Sequence, residues 1–218
     1  MSSKASKFTR VALATAIAVS GAVATTAFTA TASHAASAAS SVDGSISRSE
    51  IIARAQYWLG KSISYSQNDS YPDADGRNYR TDCSGYVSMA WHLGTSANTQ
   101  SLADSYTTEI SRSDLKPGDI LNSYYNHVIL FEKWEDDAHT TFSYYSFGST
   151  PVKHVTGVSI DASEFDSHPN SEYKALRYKN VVDDVAVPSV SVSQLVGDQS
   201  GAVFLSASAS GSGGASLS

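Results

Sequence analysis

The sequence predicts an α+β fold in which N-terminal helices pack on a central antiparallel β-sheet. Three observations predict it. Segments with helical apolar spacing, each with its own start and stop signals, occupy Ser47 to Gly94. From Leu115 to Val182 the pattern changes to short apolar runs divided by polar turns, as strands read. Helices therefore precede strands, which is the segregated order of an α+β domain and not the alternation that builds a parallel sheet.

The chain opens with Lys4, Lys7 and Arg10, followed by an uncharged Ala-, Val- and Thr-rich stretch from Val11 to Ala30. That is a secretory signal pattern, and the small residues Ser33 and Ala35 suit a cleavage site, so residues 1–35 are read as a signal peptide. Thr15, Ser20, Thr25, Thr26 and Thr29 dilute the stretch and weigh against an uncleaved anchor helix. Residues 36–46 read as an Ala/Ser-rich linker and residues 47–182 as the domain. Residues 183–218 read as a low-complexity flexible tail, within which Val185 to Val196 alternates enough for a short strand. A domain of roughly 135 residues is long enough for a single core.

Within the domain, Ser47-Arg48-Ser49-Glu50 fits a capping box, and Ile51, Ile52, Ala55, Trp58 and Leu59 share one helical face before Gly60. Lys61 to Arg80 is rich in Ser, Asn, Asp, Gly and Tyr and reads as a long loop, of the kind that commonly carries function. Thr81 or Asp82 then caps a second helix with Val87, Ala90 and Trp91 as its buried stripe and Gly94 as its stop. Leu115 to Leu121 is a turn delivering a strand, and His127 to Trp134 is the next strand. Glu135 to Ala138 turns the chain into His139 to Phe147, and Lys153 to Ile160 and Ala175 to Val182 are further strands.

The net charge of the whole chain is −6, and loss of Lys4, Lys7 and Arg10 takes it to −9. An acidic protein argues against nucleic acid as partner and gains no electrostatic help in holding to an anionic cell wall. The expectation is a secreted, extracellular monomer without stable membrane insertion and at most transiently associated with the wall.

Cys83 is the only cysteine of the chain. Exported proteins usually pair their cysteines, so a lone one is an inert core residue, half of an intermolecular bridge, or a nucleophile. Here it lies in the first turn of the predicted second helix, where unpaired backbone N–H groups and the helix dipole favour a thiolate. The same N–H groups suit an oxyanion hole. The missing part is a base. Among six histidines, His127 opens an apolar strand directly after a turn, where its ring can project from the sheet edge towards a helix start.

Asp82-Cys83-Ser84-Gly85, then Leu115-Lys116-Pro117-Gly118-Asp119, then His127 at the head of a strand, resembles the NlpC-type bacterial cell-wall peptidases, a papain-like family of cysteine enzymes. The resemblance covers roughly residues 47–182 and implies a papain-like NlpC-type fold with the nucleophile at a helix N-terminus. It implies that Cys83 attacks and that His127 takes its proton and later protonates the leaving amine. Tyr65 falls where the family carries a tyrosine beside the nucleophile, and Asp82 and Ser84 match positions that help to hold the peptide stem. Read without the resemblance, Asp82 is a helix cap and Tyr65 a loop anchor.

Family members orient the histidine with a His, Asn, Gln or Glu on the next strand. A tight hairpin centred between Asp136 and Asp137 sets Ser146 opposite His127, with Tyr144 as the diagonal alternative. A one-residue shift presents Tyr145 instead, and a shorter hairpin brings in His139. A hydroxyl is a weaker partner than an amide or carboxylate, so the sequence departs from the family pattern here. Asp73, Asp75 and Asn78 with Gly76 are similar to a calcium loop without its closing acidic residue, and no histidine or cysteine set has zinc-ligand spacing. No metal or cofactor is expected. The resulting expectation is a secreted cysteine hydrolase that cleaves peptidoglycan peptide stems after a D-glutamyl or D-isoglutaminyl residue. The alternatives are a weakly active or non-catalytic wall-binding module and a secreted effector amidase acting on another amide.

Overall fold

The structure, a computed structural model, describes residues 39–184 together with Ser189–Gln194 and Leu205–Ser210. The signal peptide read at residues 1–35 lies outside the described residues. Among the described residues no helix is long and apolar enough to cross a membrane.

Strand β1 (Ile46–Ser47) leads into helix α1 (Arg48–Tyr57). The Ser47 hydroxyl accepts the N–H of Glu50 at 3.2 Å, the N-cap bond that the sequence predicts. The reciprocal half of the box does not form, because the Glu50 carboxylate instead takes the backbone N–H and hydroxyl of Ser40. Ile51, Ala55 and Trp58 are fully buried, and Gly60 stops the run in a left-handed conformation at φ +71°.

The predicted loop 61–80 contains a hairpin, β2 (Ser70–Pro72) and β3 (Asn78–Arg80). Pro72 and the Asp- and Gly-rich turn conceal these short strands in the sequence. One Asp73 oxygen takes the N–H groups of Asp75 and Arg77 at 3.0 and 2.8 Å, and Gly76 supplies the positive φ. Helix α2 (Cys83–Ala90) follows, with Asp82 as its N-cap. It is buried on all sides, and it ends at Ala90, before the predicted Gly94, with His92 just beyond the cap at a φ of +56°.

Short helical segments at Thr99–Ser101 and Leu102–Tyr106 lead to β4 (Thr107–Glu109), β5 (Ile120–Ser123), β6 (His127–Trp134), β7 (Thr141–Ser146) and β8 (Lys153–Ser159). A small hairpin, β9 (Glu164–Phe165) and β10 (His168–Pro169), precedes β11 (Tyr173–Tyr178) and β12 (Val181–Val182). Six strands form the central sheet in the order β4-β11-β5-β6-β7-β8, and every neighbouring pair is antiparallel. The molecule is thus mixed α and β with a mostly antiparallel sheet, consistent with the α+β class.

Both faces of the sheet are covered, which is why β6 reads as a continuous apolar run and not as an alternating one. Val128 and Leu130 point to one side and pack with Val87, Ala90 and Trp91 of the α2 region and Ile51 and Ala55 of α1. Ile129 and Phe131 point to the other side and join Leu121, Phe142, Tyr144, Phe165 and Tyr173. Asp119, fully buried, ties the head of α1 to the sheet. It accepts from Arg48 at 3.1 Å, from Arg177 at 2.7 Å and from the Lys116 N–H at 2.8 Å.

The segment assigned to the linker is docked from Ser40 onwards. Ile46 is 1% exposed, and β1 pairs in parallel with β12. Asp43 binds the Gly94 N–H through its side chain at 2.8 Å and the His92 carbonyl through its own N–H at 3.0 Å. Beyond Asp184, β13 (Ser189–Gln194) and β14 (Leu205–Ser210) pair with each other, so part of the stretch read as a flexible tail is a hairpin.

Candidate active site

Cys83 is the first residue of α2, where the chain turns out of β3. Asp82 caps the helix by accepting the Gly85 N–H at 2.8 Å. Gly85 is required at this turn: a Cβ there would stand 2.1 Å from the Arg80 carbonyl oxygen. Arg80 braces the same corner, donating to the Asp82 carboxylate, to the Ser84 hydroxyl at 2.8 Å and to the Ala97 carbonyl at 3.0 Å. The N–H groups of Cys83 and Ser84 find no acceptor among the described residues and lie where helix geometry leaves donors free.

Cys83, Asp82, Ser84 and Arg80 line one polar cleft of about 320 Å³, whose far rim carries Tyr125 and Asn126. A larger cavity of about 580 Å³ lies around Glu50, Arg54, Asp75 and His92, and its lining includes serines but no cysteine. There Asp73, Asp75 and His92 bring ligand atoms within 4.8 Å of one another, but the Arg54 guanidinium is paired to both carboxylates.

His127 is the first residue of β6, and its buried ring uses Nε2 to reach the Ser146 hydroxyl at 3.0 Å and the Asp166 carboxylate at 3.1 Å. A carboxylate only accepts, so Nε2 carries the hydrogen and Nδ1 is the nitrogen left for Cys83. Ser146 in turn donates to the same Asp166 oxygen, and Lys153 holds the other at 3.1 Å. Burial alone would push the His127 pKa down. The hydrogen bond to Asp166 and the hydrogen bond and charge of Cys83 outweigh it and raise the value to about 9. The His127 hydrogen bond also holds the Asp166 carboxyl well below the usual carboxylate range.

Ser146 therefore touches His127, as the sequence predicts, but by another geometry. Leu130 faces Tyr145 and Phe131 faces Tyr144, and a bulge lies between Phe131 and Lys133. Ser146 then sits diagonally to His127 and not directly across from it. Its part is to share the Nε2 proton and brace Asp166, so the orienting group is the carboxylate. The other candidates are elsewhere. Tyr145 bonds Glu132 and Gln56, Tyr144 is packed in the second core, and His139 stacks on Trp134 at 4.5 Å.

Asp166 was not legible in the sequence. It and Ser167 form the two-residue turn of the β9-β10 hairpin, both at positive φ, 44° and 68°. That backbone suits a primed hairpin turn, for which Asn-Gly or Asp-Gly is the strong signal and Asp-Ser a weak one. Phe165 anchors the turn edge-on against Phe142 at 5.3 Å, and the Tyr173 hydroxyl bonds the Phe165 carbonyl at 3.0 Å. Gly148 leaves room for the contact, since a Cβ there would meet Asp166 at 2.4 Å and His127 at 3.0 Å. His168 stacks on the outer side of the His127 ring at 5.0 Å.

Tyr65 lies edge-on to Phe147 at 5.7 Å, and its N–H bonds the Thr150 hydroxyl at 2.7 Å. Burial, and after it the charge of Cys83, raises its pKa, which puts it within electrostatic reach of the thiol. The structure thus gathers Cys83, His127, Ser146, Tyr65, Asp82 and Ser84 in one region and adds Asp166. No protein-family model, no curated protein and no solved structure matches this chain, so the case for the site stands on its own geometry.

Proposed function

We propose that this protein is a secreted cysteine hydrolase with the papain-like, NlpC-type arrangement and that it opens amide bonds in the peptide stems of peptidoglycan. The observation that carries the reading is a helix-start cysteine beside a buried histidine whose Nε2 is held by a carboxylate at 3.1 Å, and the contacts of Asp166 and Cys83 raise the pKa of that histidine. A thiolate paired with an imidazolium is the activated form of a cysteine nucleophile.

The Cys83 sulfur adds to the amide carbonyl, and the oxyanion that develops faces the free N–H groups at the start of α2. The C–N bond breaks as His127 gives its Nδ1 proton to the leaving nitrogen. His127, now neutral, takes a proton from water. The hydroxide adds to the thioester, and the acid leaves as the sulfur regains its charge beside the imidazolium that the water's proton has restored. Asp166 holds the ring in the tautomer this requires and stabilises its charge. Peptidoglycan as substrate, and a cut after a D-glutamyl residue, rest on the sequence resemblance. The wall-binding alternative drew support from a hydroxyl as the only orienter, and the Asp166 carboxylate removes that support.

Incubation of the mature protein with purified peptidoglycan, with released fragments identified by mass, tests the reading. Wild type should release stem peptides, and Cys83→Ala and His127→Ala should release none. Equal release by all three, or none by wild type on any cross-linked wall, overturns it.

A further inference from the structure

Apart from its contact with Cys83, the His127 ring is held through one atom: Nε2 meets Ser146 at 3.0 Å and Asp166 at 3.1 Å. Nε2 lies nearer than Nδ1 to the line of the Cβ–Cγ bond, so it moves less when the ring turns about that bond. The torsion concerned is broad for a histidine. Asp166 therefore fixes the tautomer and anchors the far end of the ring, but it restrains only weakly the direction in which Nδ1 points. In the resting site the hydrogen bond to Cys83 supplies that restraint. It is lost once the sulfur carries an acyl group, because a thioester sulfur is uncharged and a poor acceptor. That is the state in which Nδ1 must face the attacking water.

A group on the face of the ring resists such a turn directly, and the structure has one. The His168 ring lies against that of His127 with centroids 5.0 Å apart and planes 18° from parallel, the only ring stacked on it among the described residues. The backbone sets its position. His168 pairs with the buried Phe165 in the β9-β10 hairpin, follows the positive-φ pair Asp166 and Ser167, and precedes Pro169, which confines it to extended backbone. One hairpin thus carries both the carboxylate that meets the edge of the imidazole and the ring that meets its face. Burial first, and then the charge on His127, lower the pKa of His168 against the opposite pull of Glu172 and Asp166. At neutral pH an uncharged face therefore lies against the imidazolium, and stacking and charge do not conflict.

We propose that His168 is a positioning residue: its ring blocks rotation of the His127 imidazole and keeps Nδ1 directed at the reacting atoms after Cys83 has been acylated. His168 is not among the residues lining the cleft of Cys83, so it acts through His127. This role rests on the reading of Cys83 as nucleophile and His127 as base, and it identifies hydrolysis of the acyl-enzyme as the step that depends on the stack.

Turnover of p-nitrophenyl acetate separates the steps. The Cys83 sulfur takes the acetyl group and nitrophenolate leaves without needing a proton, while the proton of the resting imidazolium passes to solvent. Nδ1 of the neutral ring then takes a proton from water, the hydroxide adds to the thioester, and acetate leaves as the thiolate returns beside the imidazolium. The first step is read as a burst of nitrophenolate and the second as the steady rate. His168→Ala should keep the burst rate within about twofold of wild type and lower the steady rate about tenfold, and His168→Phe, which restores a flat face without a titratable group, should recover the steady rate. Three results overturn the proposal: a His168→Ala variant that turns over as fast as wild type, a His168→Phe variant as slow as His168→Ala, or a burst that slows in step with the steady rate, as a shift of the whole hairpin would cause. Absence of any burst from wild type, with Cys83→Ala as the blank, is a distinct failure, since it removes the nucleophile itself and the proposal with it.

Discussion

His127 is pulled in two directions, and Asp166 decides the outcome. Burial favours a neutral ring, whereas the Asp166 carboxylate and Cys83 favour a charged one and raise the pKa to about 9. Replacing Asp166 with Asn keeps an acceptor near Nε2 but removes the charge, so turnover should fall by about 10²- to 10⁴-fold, with the alkaline limit of the pH–rate profile moving to lower pH. Ser146→Ala should cost much less, since the bond from Nε2 to the carboxylate survives, and steady-state kinetics of the two variants separate the orienter from its brace. Stability follows the same groups. The folded pKa of His127 lies above its unfolded value of 6.5, so its contribution is complete below that value and is lost as the pH rises through about 9. Asp166 is depressed, so its contribution is present above 3.8 and is lost as the pH falls below it. The melting temperature measured against pH should fall on both limbs, and Asp166→Asn should flatten both.

The elements divide into those that present the site and those that hold it in place. Asp119 belongs to the second kind, although it stands in the Leu115–Asp119 run on which the family resemblance partly rests. It neutralises Arg48 of α1 and Arg177 of β11, and Asp119→Ala takes the paired carboxylate from Arg177 and leaves Arg48 with Asp183 alone. Chemical denaturation should show a loss of about 3–5 kcal/mol, with turnover of the remaining folded protein unchanged. Motifs of this kind are legible because their signals are local. A cap before Cys83, a turn before His127 and an apolar run after it sit within a few residues of one another. Asp166 had no such signal, for it reaches His127 only because Phe165 packs on Phe142, a contact between distant strands. The register was equally hidden: the pairs next to the turn, Trp134 with Phe142 and Lys133 with Ser143, already lie off the predicted register, and the bulge beyond Phe131 restores only part of the difference, which leaves Ser146 diagonal to His127.

At the scale of the whole molecule, composition misplaces the start of the domain. Small Ala and Ser residues at 36–46 resemble a linker because a linker and a tightly docked strap can share that composition, and only the partners distinguish them. Here the main partners lie far along the chain: Val181 and Val182 pair with Ile46 and Ser47, and Asn180 bonds the Asp43 carbonyl at 2.9 Å. The strap thus joins the entry to α1 with the exit from the sheet, and no window of sequence contains both ends. A protein begun at Ser47 should therefore be less stable than one begun at Ala39. Burial of Ile46 alone contributes about 1.5–3 kcal/mol, and each backbone bond lost adds about 1 kcal/mol more. The urea midpoints of the two forms measure the difference. Cys83 and His127 touch none of the strap, so at low urea both forms should cleave substrate at the same rate, and only the shorter one should lose activity on mild warming.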